Sequence, residues 1–211
     1  METDITPQLW AYLILTFALV VTPGATTAVV LRNTVHGNWR GGAATALGAA
    51  LGNSSIAAAA RLGLVLVLRR WPIALVLLKW GGALYLAGLG LGSLRRAAGG
   101  GATLDALPRP SGSRKTSSAF RQGLTVNLLN PPIIVFYLVV VPTFLPAGAG
   151  PSAFAALAAI HVTMALCCHL GWAYVFDRLR WLVRGPRALR LFDASAAAAL
   201  LYLAVRTVVQ R

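Results

Sequence analysis

The chain has 211 residues, of which 57% are hydrophobic and only 11% charged, whereas a soluble domain carries about 25% charged residues. So few polar side chains cannot coat a globule, which excludes a soluble enzyme, a disulfide scaffold, a disordered chain and a coiled coil. The net charge of +14, in a chain of long apolar runs, is typical of cytoplasmic loops rather than of nucleic-acid binding. The composition therefore predicts an integral membrane protein with no nucleic-acid partner.

Six stretches are apolar enough to cross a bilayer as helices, which takes about 20 residues each. The first three are residues 9–31, 41–68 and 71–94, and the acidic residues Glu2 and Asp4 argue against a cleaved signal peptide. Residues 122–176 contain no Asp, Glu, Lys or Arg and are divided into two spans by a Pro/Gly turn at residues 146–151. Residues 189–209 form the sixth span despite three charged residues, with five spans as the alternative.

Basic residues are distributed unevenly between the two sets of loops that six spans create. Thirteen Lys and Arg fall in one set and four in the other, and the richer set is expected to be cytoplasmic. Both termini are therefore predicted to lie outside. Residues 95–120 are predicted to be a flexible cytoplasmic linker between two three-helix halves, 1–94 and 121–211, which have inverted topology.

Each half opens with a helix that proline interrupts at membrane depth. Thr22, Pro23, Gly24 and Ala25 form the first break, and residues 127–132, Asn-Leu-Leu-Asn-Pro-Pro, form the second. Proline frees a backbone carbonyl one turn back, and in lipid that carbonyl needs a partner or a wet cavity. The breaks are therefore either structural kinks or parts of one polar cavity, with Pro23, Gly24, Thr26, Asn127, Asn130 and Pro131 as candidate substrate-binding residues.

Other polar residues lie inside the predicted spans. Asn53, near the middle of the second span, either forms a hydrogen bond between helices or belongs to the substrate site. Lys79 and Arg61 either reach the headgroups or form a positive site that holds a carboxylate. His161 is the candidate for carrying a coupling proton, with a structurally hydrogen-bonded histidine as the alternative.

Neither a metal site nor a catalytic site is predicted. His161, Cys168 and His169 share a helical face, but the first two lie about 10 Å apart along the axis, too far for one ion with bonds near 2 Å. The chain also lacks a hydrolase elbow, a phosphate loop and paired catalytic carboxylates. We therefore expect no enzyme activity, no metal and no cofactor.

Four motifs together make the chain resemble the LysE/RhtB family of amino-acid exporters along nearly its whole length. They are the break at residues 22–25, the glycine-rich residues 41–53, the stretch 78–90 that begins Leu-Lys-Trp-Gly-Gly, and residues 120–131, Phe-Arg-Gln-Gly-Leu-Thr-Val-Asn-Leu-Leu-Asn-Pro. The resemblance implies a multi-pass inner-membrane exporter of amino acids or close derivatives, driven by the proton motive force. It also implies that the protein works as an oligomer.

Four positions differ from what that family commonly has. Ala25 replaces the second proline of a Pro-Gly-Pro break, Asn53 replaces an aspartate, Pro132 replaces a lysine after Asn-Pro, and Arg61 is unusual at its position. Of these changes, Asn53 removes a negative charge and Arg61 adds a positive one. The sequence therefore predicts a substrate less cationic than lysine.

Two other classes of function stay open at this point. One is a related six-helix carrier for a metal ion or an inorganic anion. The other is an intramembrane thiol–disulfide relay, although Cys167 and Cys168, the only two cysteines, are adjacent rather than on opposing helices.

Overall fold

The computed structural model describes residues 5–63, 70–71, 73–99, 112–146, 148–183 and 185–209. The regular elements in these ranges are all helical, and seven main helices follow one another along the chain. They are α1 (Ile5–Val21), α2 (Ala25–Arg61), α3 (Ile73–Ala98), α4 (Gly112–Leu128), α5 (Pro131–Thr143), α6 (Pro151–Arg178) and α7 (Pro186–Val209).

Four of these helices, α2, α3, α6 and α7, are long and apolar enough to cross a membrane. A fifth candidate is the pair α4 and α5, which meet at a bend of 58°. The all-helical membrane architecture is thus confirmed, with four or five candidate spans in the described ranges. The apolar α1, at 17 residues, is shorter than the usual span of about 20.

Helix α2 reverses direction at Asn38, whose backbone has φ 60° and ψ −172°, a combination that residues other than glycine rarely adopt. The side-chain amide of Asn33 donates to the hydroxyl of Thr45 at 2.9 Å, although twelve residues of straight helix would separate them by about 18 Å. Gly41 also lies directly against the carbonyl of Asn33. Residues 25–37 and 39–61 are therefore two helical segments that fold back on each other.

Glycines bring the backbones of α2 and α4 into contact. A methyl group at Gly48 would lie 2.0 Å from the Phe120 carbonyl oxygen, and one at Gly123 would lie 2.0 Å from that of Thr45. Gly48 and Gly52 face α4, because the two helices need small residues at the point where they cross.

Helix α3 packs against α7 and against the second break. Gly90 contacts Leu201 of α7, and a methyl group at Gly82 would lie 2.2 Å from the Leu129 carbonyl oxygen. The glycines of the stretch at residues 78–90 therefore let α3 approach other backbones closely.

The linker predicted at residues 95–120 is partly helical in the structure. Helix α3 continues to Ala98 and α4 begins at Gly112, so both ends of the stretch differ from the flexible loop we expected. Its central glycines and prolines, at 100–101 and 108–110, lie outside the described residues.

Candidate functional site

The two helix breaks both line one partly open cavity of about 290 Å³. Thr22, Pro23 and Gly24 line it from the first break, and Asn127 and Asn130 line it from the second. Proline prevents either helix from continuing. The backbone is extended at Gly24 and at Asn130, and the next helix begins directly after each of them. The two breaks therefore lie close together, as expected from the sequence, and they border a shared space.

Asn127 holds the two breaks in position. Its side-chain amide donates to the Ala49 carbonyl at 2.8 Å, and its carboxamide oxygen accepts from the Thr26 hydroxyl at 3.2 Å. Asn127 is 1% exposed, so both ends of its amide need partners inside the protein. Its interactions join α4, the start of α2 and the body of α2.

Asn53 lines the same cavity, 2% exposed. Its carboxamide oxygen accepts no hydrogen bond within the described part of the chain. A buried acceptor without a donor costs about 1–3 kcal/mol. Asn53 therefore belongs to the cavity wall and has a buried acceptor without a protein donor in the described part of the chain.

His161 lies on the wall of the cavity and is bonded to Tyr137. The Tyr137 hydroxyl is 2.7 Å from the histidine Nδ1, and the ring of Phe136 lies 4.3 Å from the imidazole ring between centroids. Both aromatic residues belong to a single π-helical turn, Phe136–Val140, a local widening of the helix often found at functional sites. That turn could not be read from the sequence.

The sequence analysis did not predict two lining residues that can carry a charge. Arg206 lines the cavity from α7, and His169 lines it from α6. The position of Arg206 within an apolar span was a usable signal, since a charge at membrane depth generally faces the protein interior. The residues that line the cavity include no Asp or Glu.

Two predicted binding residues lie away from this cavity. Lys79 is half-buried on α3 and is not one of the lining residues. Pro131 is buried behind the second break, in a small gap of about 10 Å³ that Gly82 and Tyr85 of α3 also line. Pro131 therefore shapes the start of α5 rather than the cavity wall.

A second cavity, of about 340 Å³, lies between the end of α2 and the turn at residues 146–151. Arg61 lines it, as do Tyr137 and Phe154. Since Tyr137 borders this space and His161 borders the first, their hydrogen bond spans the wall between the two cavities.

A buried ionic cluster lies at the other end of the helices. Asp193 is 2% exposed, its carboxylate oxygen is 2.8 Å from His36 Nε2, and Arg96 Nε donates to it at 3.2 Å. The cluster joins α7 to α2 and α3, because a buried carboxylate requires cationic partners.

Within the described ranges, no group of three or more His, Cys, Asp or Glu is positioned to hold a metal ion. Cys167 is exposed, and the Cys168 thiol donates to the Val20 carbonyl at 3.6 Å. That contact serves a carbonyl that the end of α1 leaves without a partner in its own helix.

Comparison with known proteins places these features in a family. A family model described as "LysE type translocator" matches residues 17–211. A homoserine/homoserine lactone efflux protein of Salmonella typhi is 27% identical over 87% of both chains, and that of Salmonella typhimurium is 26% identical over the same shares. An uncharacterized membrane protein of Bacillus subtilis is 27% identical over 95% of this chain and 98% of its own. No solved structure matches. The chain belongs to the LysE type translocator family and is a multi-pass membrane transport protein.

Proposed function

We propose that this LysE type translocator exports small amino acids or close derivatives from the cytoplasm, driven by the proton motive force. The observation that carries the proposal is the cavity, with several polar lining residues, at which the breaks of α1–α2 and α4–α5 meet. Broken helices supply backbone groups that bind a polar solute at membrane depth. The volume of about 290 Å³ is at the lower end of the range for drug-sized ligands, which suits a small solute.

The proposed topology has six spans in two inverted halves, with both termini outside. Residues 39–61, α3, α6 and α7 each form one span. The pair α1 with 25–37 and the pair α4 with α5 each form a broken one. The bias of basic residues supports this orientation, and a C-terminal alkaline phosphatase fusion should be active, whereas a fluorescent protein in its place should be dark. The opposite pattern would reject the orientation.

We assign substrate contact to Pro23, Gly24, Thr26, Asn53, Asn127 and Asn130, and proton coupling to His161. His161 is the assigned carrier because it lies on the cavity wall and touches Tyr137, which borders the second cavity. A proton can thus reach the substrate cavity from the end where Arg61 lies.

Transport by the purified protein in proteoliposomes tests the function. Vesicles preloaded with unlabelled L-homoserine should take up labelled homoserine by counterflow, and an imposed pH gradient should accelerate uptake. Lysine, glutamate, sulfate and a divalent metal ion serve as the comparison panel. If folded protein exchanges sulfate or the metal ion and no amino acid, the protein is a carrier for that solute and the amino-acid proposal is wrong.

A further inference from the structure

The second cavity contains a positive charge that the proposed function does not use. Arg61 lines it at the end of α2, and the described residues provide its guanidinium group with neither a hydrogen bond nor an ion pair. The other lining residues include no Asp or Glu, and Leu138, Leu145 and Phe154 make much of the wall apolar. An arginine beside apolar walls attracts a carboxylate more strongly than one surrounded by water. The second cavity is therefore suited to a small solute with an anionic group.

Three rings in mutual contact lie between this cavity and the substrate cavity. Phe136 and His161 line the substrate cavity, and Tyr137 lines the second one. The ring centroid of Tyr137 is 5.2 Å from that of His161 and 5.3 Å from that of Phe136. Tyr137 is completely buried. At this point the two cavities are therefore separated by little more than the thickness of one ring.

Tyr137 belongs to a part of α5 that has more than one possible arrangement. The π-helical turn Phe136–Val140 contains one residue more than an ordinary turn, and moving that extra residue along the helix rotates the neighbouring side chains about the helix axis. Pro142 follows the turn and has no N–H to donate to it. The hydrogen bond between Tyr137 and His161 contributes only a modest net free energy, so it can hold the ring in place and still break in each transport cycle.

We propose that Tyr137 is the gate through which solute leaves the substrate cavity, and that Arg61 in the second cavity binds the carboxylate of the departing solute. The inference rests on the proposed function, from which it takes the direction of transport and the solute. When the bond to His161 breaks and Tyr137 rotates away, the two cavities join. Arg61 then attracts the carboxylate outward, and because its side chain is exposed the binding is weak enough for release.

Access to the substrate cavity from outside measures the gate. Gly24→Cys places a thiol there, since a methyl group at Gly24 would meet no atom within 4 Å, and serine replaces Cys167 and Cys168. In right-side-out vesicles, this thiol reacts with a membrane-impermeant methanethiosulfonate. Tyr137→Phe should speed the reaction about fivefold, which is the effect of losing one hydrogen bond.

Tyr12→Phe is the matched control for this substitution. Tyr12 belongs to the same hydrophobic core as Tyr137, is as deeply buried, and donates to the Leu157 carbonyl at 2.7 Å. It lines neither cavity, so loss of its hydroxyl should leave the reaction rate unchanged. A thermal unfolding scan confirms that both variants are folded.

Protection of a thiol in the second cavity measures the anionic site. Ala149→Cys, at another lining residue, is labelled from outside in the background without native cysteines. L-homoserine should slow this labelling, whereas homoserine lactone, which lacks the carboxylate, should not. Arg61→Gln should raise the homoserine concentration for half-protection about threefold, as expected for loss of an exposed ion pair, and Arg61→Lys should keep most of the protection.

The results that would overturn the inference differ from those that would remove the proposed function. If Tyr137→Phe reacts no faster than Tyr12→Phe, Tyr137 is not the gate, and amino-acid export still stands. If the lactone protects as well as homoserine, Arg61 does not bind the solute carboxylate. If phosphatidylglycerol in phosphatidylcholine vesicles slows the labelling and homoserine does not, Arg61 binds a lipid phosphate instead. If folded protein exchanges no amino acid but shows the effect of Tyr137→Phe, the proposed function and the solute assigned to Arg61 are wrong, and the gate stands.

Discussion

Two buried asparagines of the cavity show how hydrogen bonding separates structural from binding roles at the level of the residue. Asn127 uses both ends of its amide, toward Ala49 and Thr26. Asn53 is as deeply buried, but its oxygen has no donor in the described part of the chain. The sequence marks both residues as polar groups at membrane depth. Only the contacts show that the first joins helices, whereas the oxygen of the second has no donor among the described residues.

Asn53→Asp should change which amino acids are exchanged. A carboxylate introduced into a cavity lined by no Asp or Glu attracts the side-chain ammonium group of lysine. The ratio of lysine exchange to homoserine exchange should therefore rise by about tenfold. The attraction between two unit charges in close contact is large enough for a change of that size even when solvent partly screens it. Counterflow of labelled lysine and homoserine measures the ratio, and the neutral Asn53→Ser should not favour lysine. An unchanged ratio in Asn53→Asp would count against a substrate contact at this position.

His161→Gln should remove coupling without removing transport. Glutamine keeps a polar group on the cavity wall but, unlike histidine, does not gain or lose a proton between about pH 5 and 8. Counterflow without a gradient should persist, and its acceleration by a pH gradient should disappear. Tyr137→Phe, which deletes the 2.7 Å bond to His161, should shift the pH at which acceleration is half-maximal. His169→Gln, at another lining residue, should keep the acceleration, and its loss there instead would move the coupling role to His169.

At the level of the element, the crossing of α2 and α4 depends on glycine. Gly48→Ala would bring a methyl group to 2.0 Å from the Phe120 carbonyl oxygen, so the helices must separate, at a cost of about 1–3 kcal/mol. The apparent thermal midpoint in detergent should fall by several degrees. Gly88→Ala on α3, where nothing lies within 4 Å, should hold or raise the midpoint, because alanine favours helix. Equal midpoints would show that the crossing tolerates a wider separation.

The same elements show how far the sequence predicts this fold. The breaks at residues 22–25 and 127–132 were visible because proline and polar residues interrupt otherwise apolar spans. The reversal at Asn38 lies in the gap between the first two predicted spans, but its positive φ was not predicted. The partner of Gly48 and Gly52 could not be predicted, because a small-residue face indicates close packing and not which helix provides the other surface. The π-helical turn at Tyr137 leaves no sequence periodicity that distinguishes it from ordinary helix.

At the scale of the whole molecule, the ion pairs between the two halves in the described ranges lie at the end predicted to be cytoplasmic. Asp193 of the second half bonds to His36 and Arg96 of the first. The Asp177 carboxylate accepts from the Trp39 backbone at 2.9 Å, and Arg180 donates to the Val35 carbonyl. In the proposed orientation an exporter admits substrate from this side, so we expect these bonds to break in the transport cycle.

Asp193→Asn should shift the protein toward a state open to the cytoplasm. The substitution removes the charge that holds His36 and Arg96, and loss of one partner from a buried ion pair costs about 3–5 kcal/mol. Here the cost should be smaller, because the Arg96 side chain is 35% exposed. In inside-out vesicles, a cysteine introduced by Thr26→Cys, with Cys167 and Cys168 replaced by serine, should react several-fold faster with a membrane-impermeant thiol reagent. Arg190→Gln, an exposed neighbour on α7, should leave the rate unchanged. If Asp193→Asn reacts no faster than this control, the cluster stabilises the fold without closing the cytoplasmic entrance.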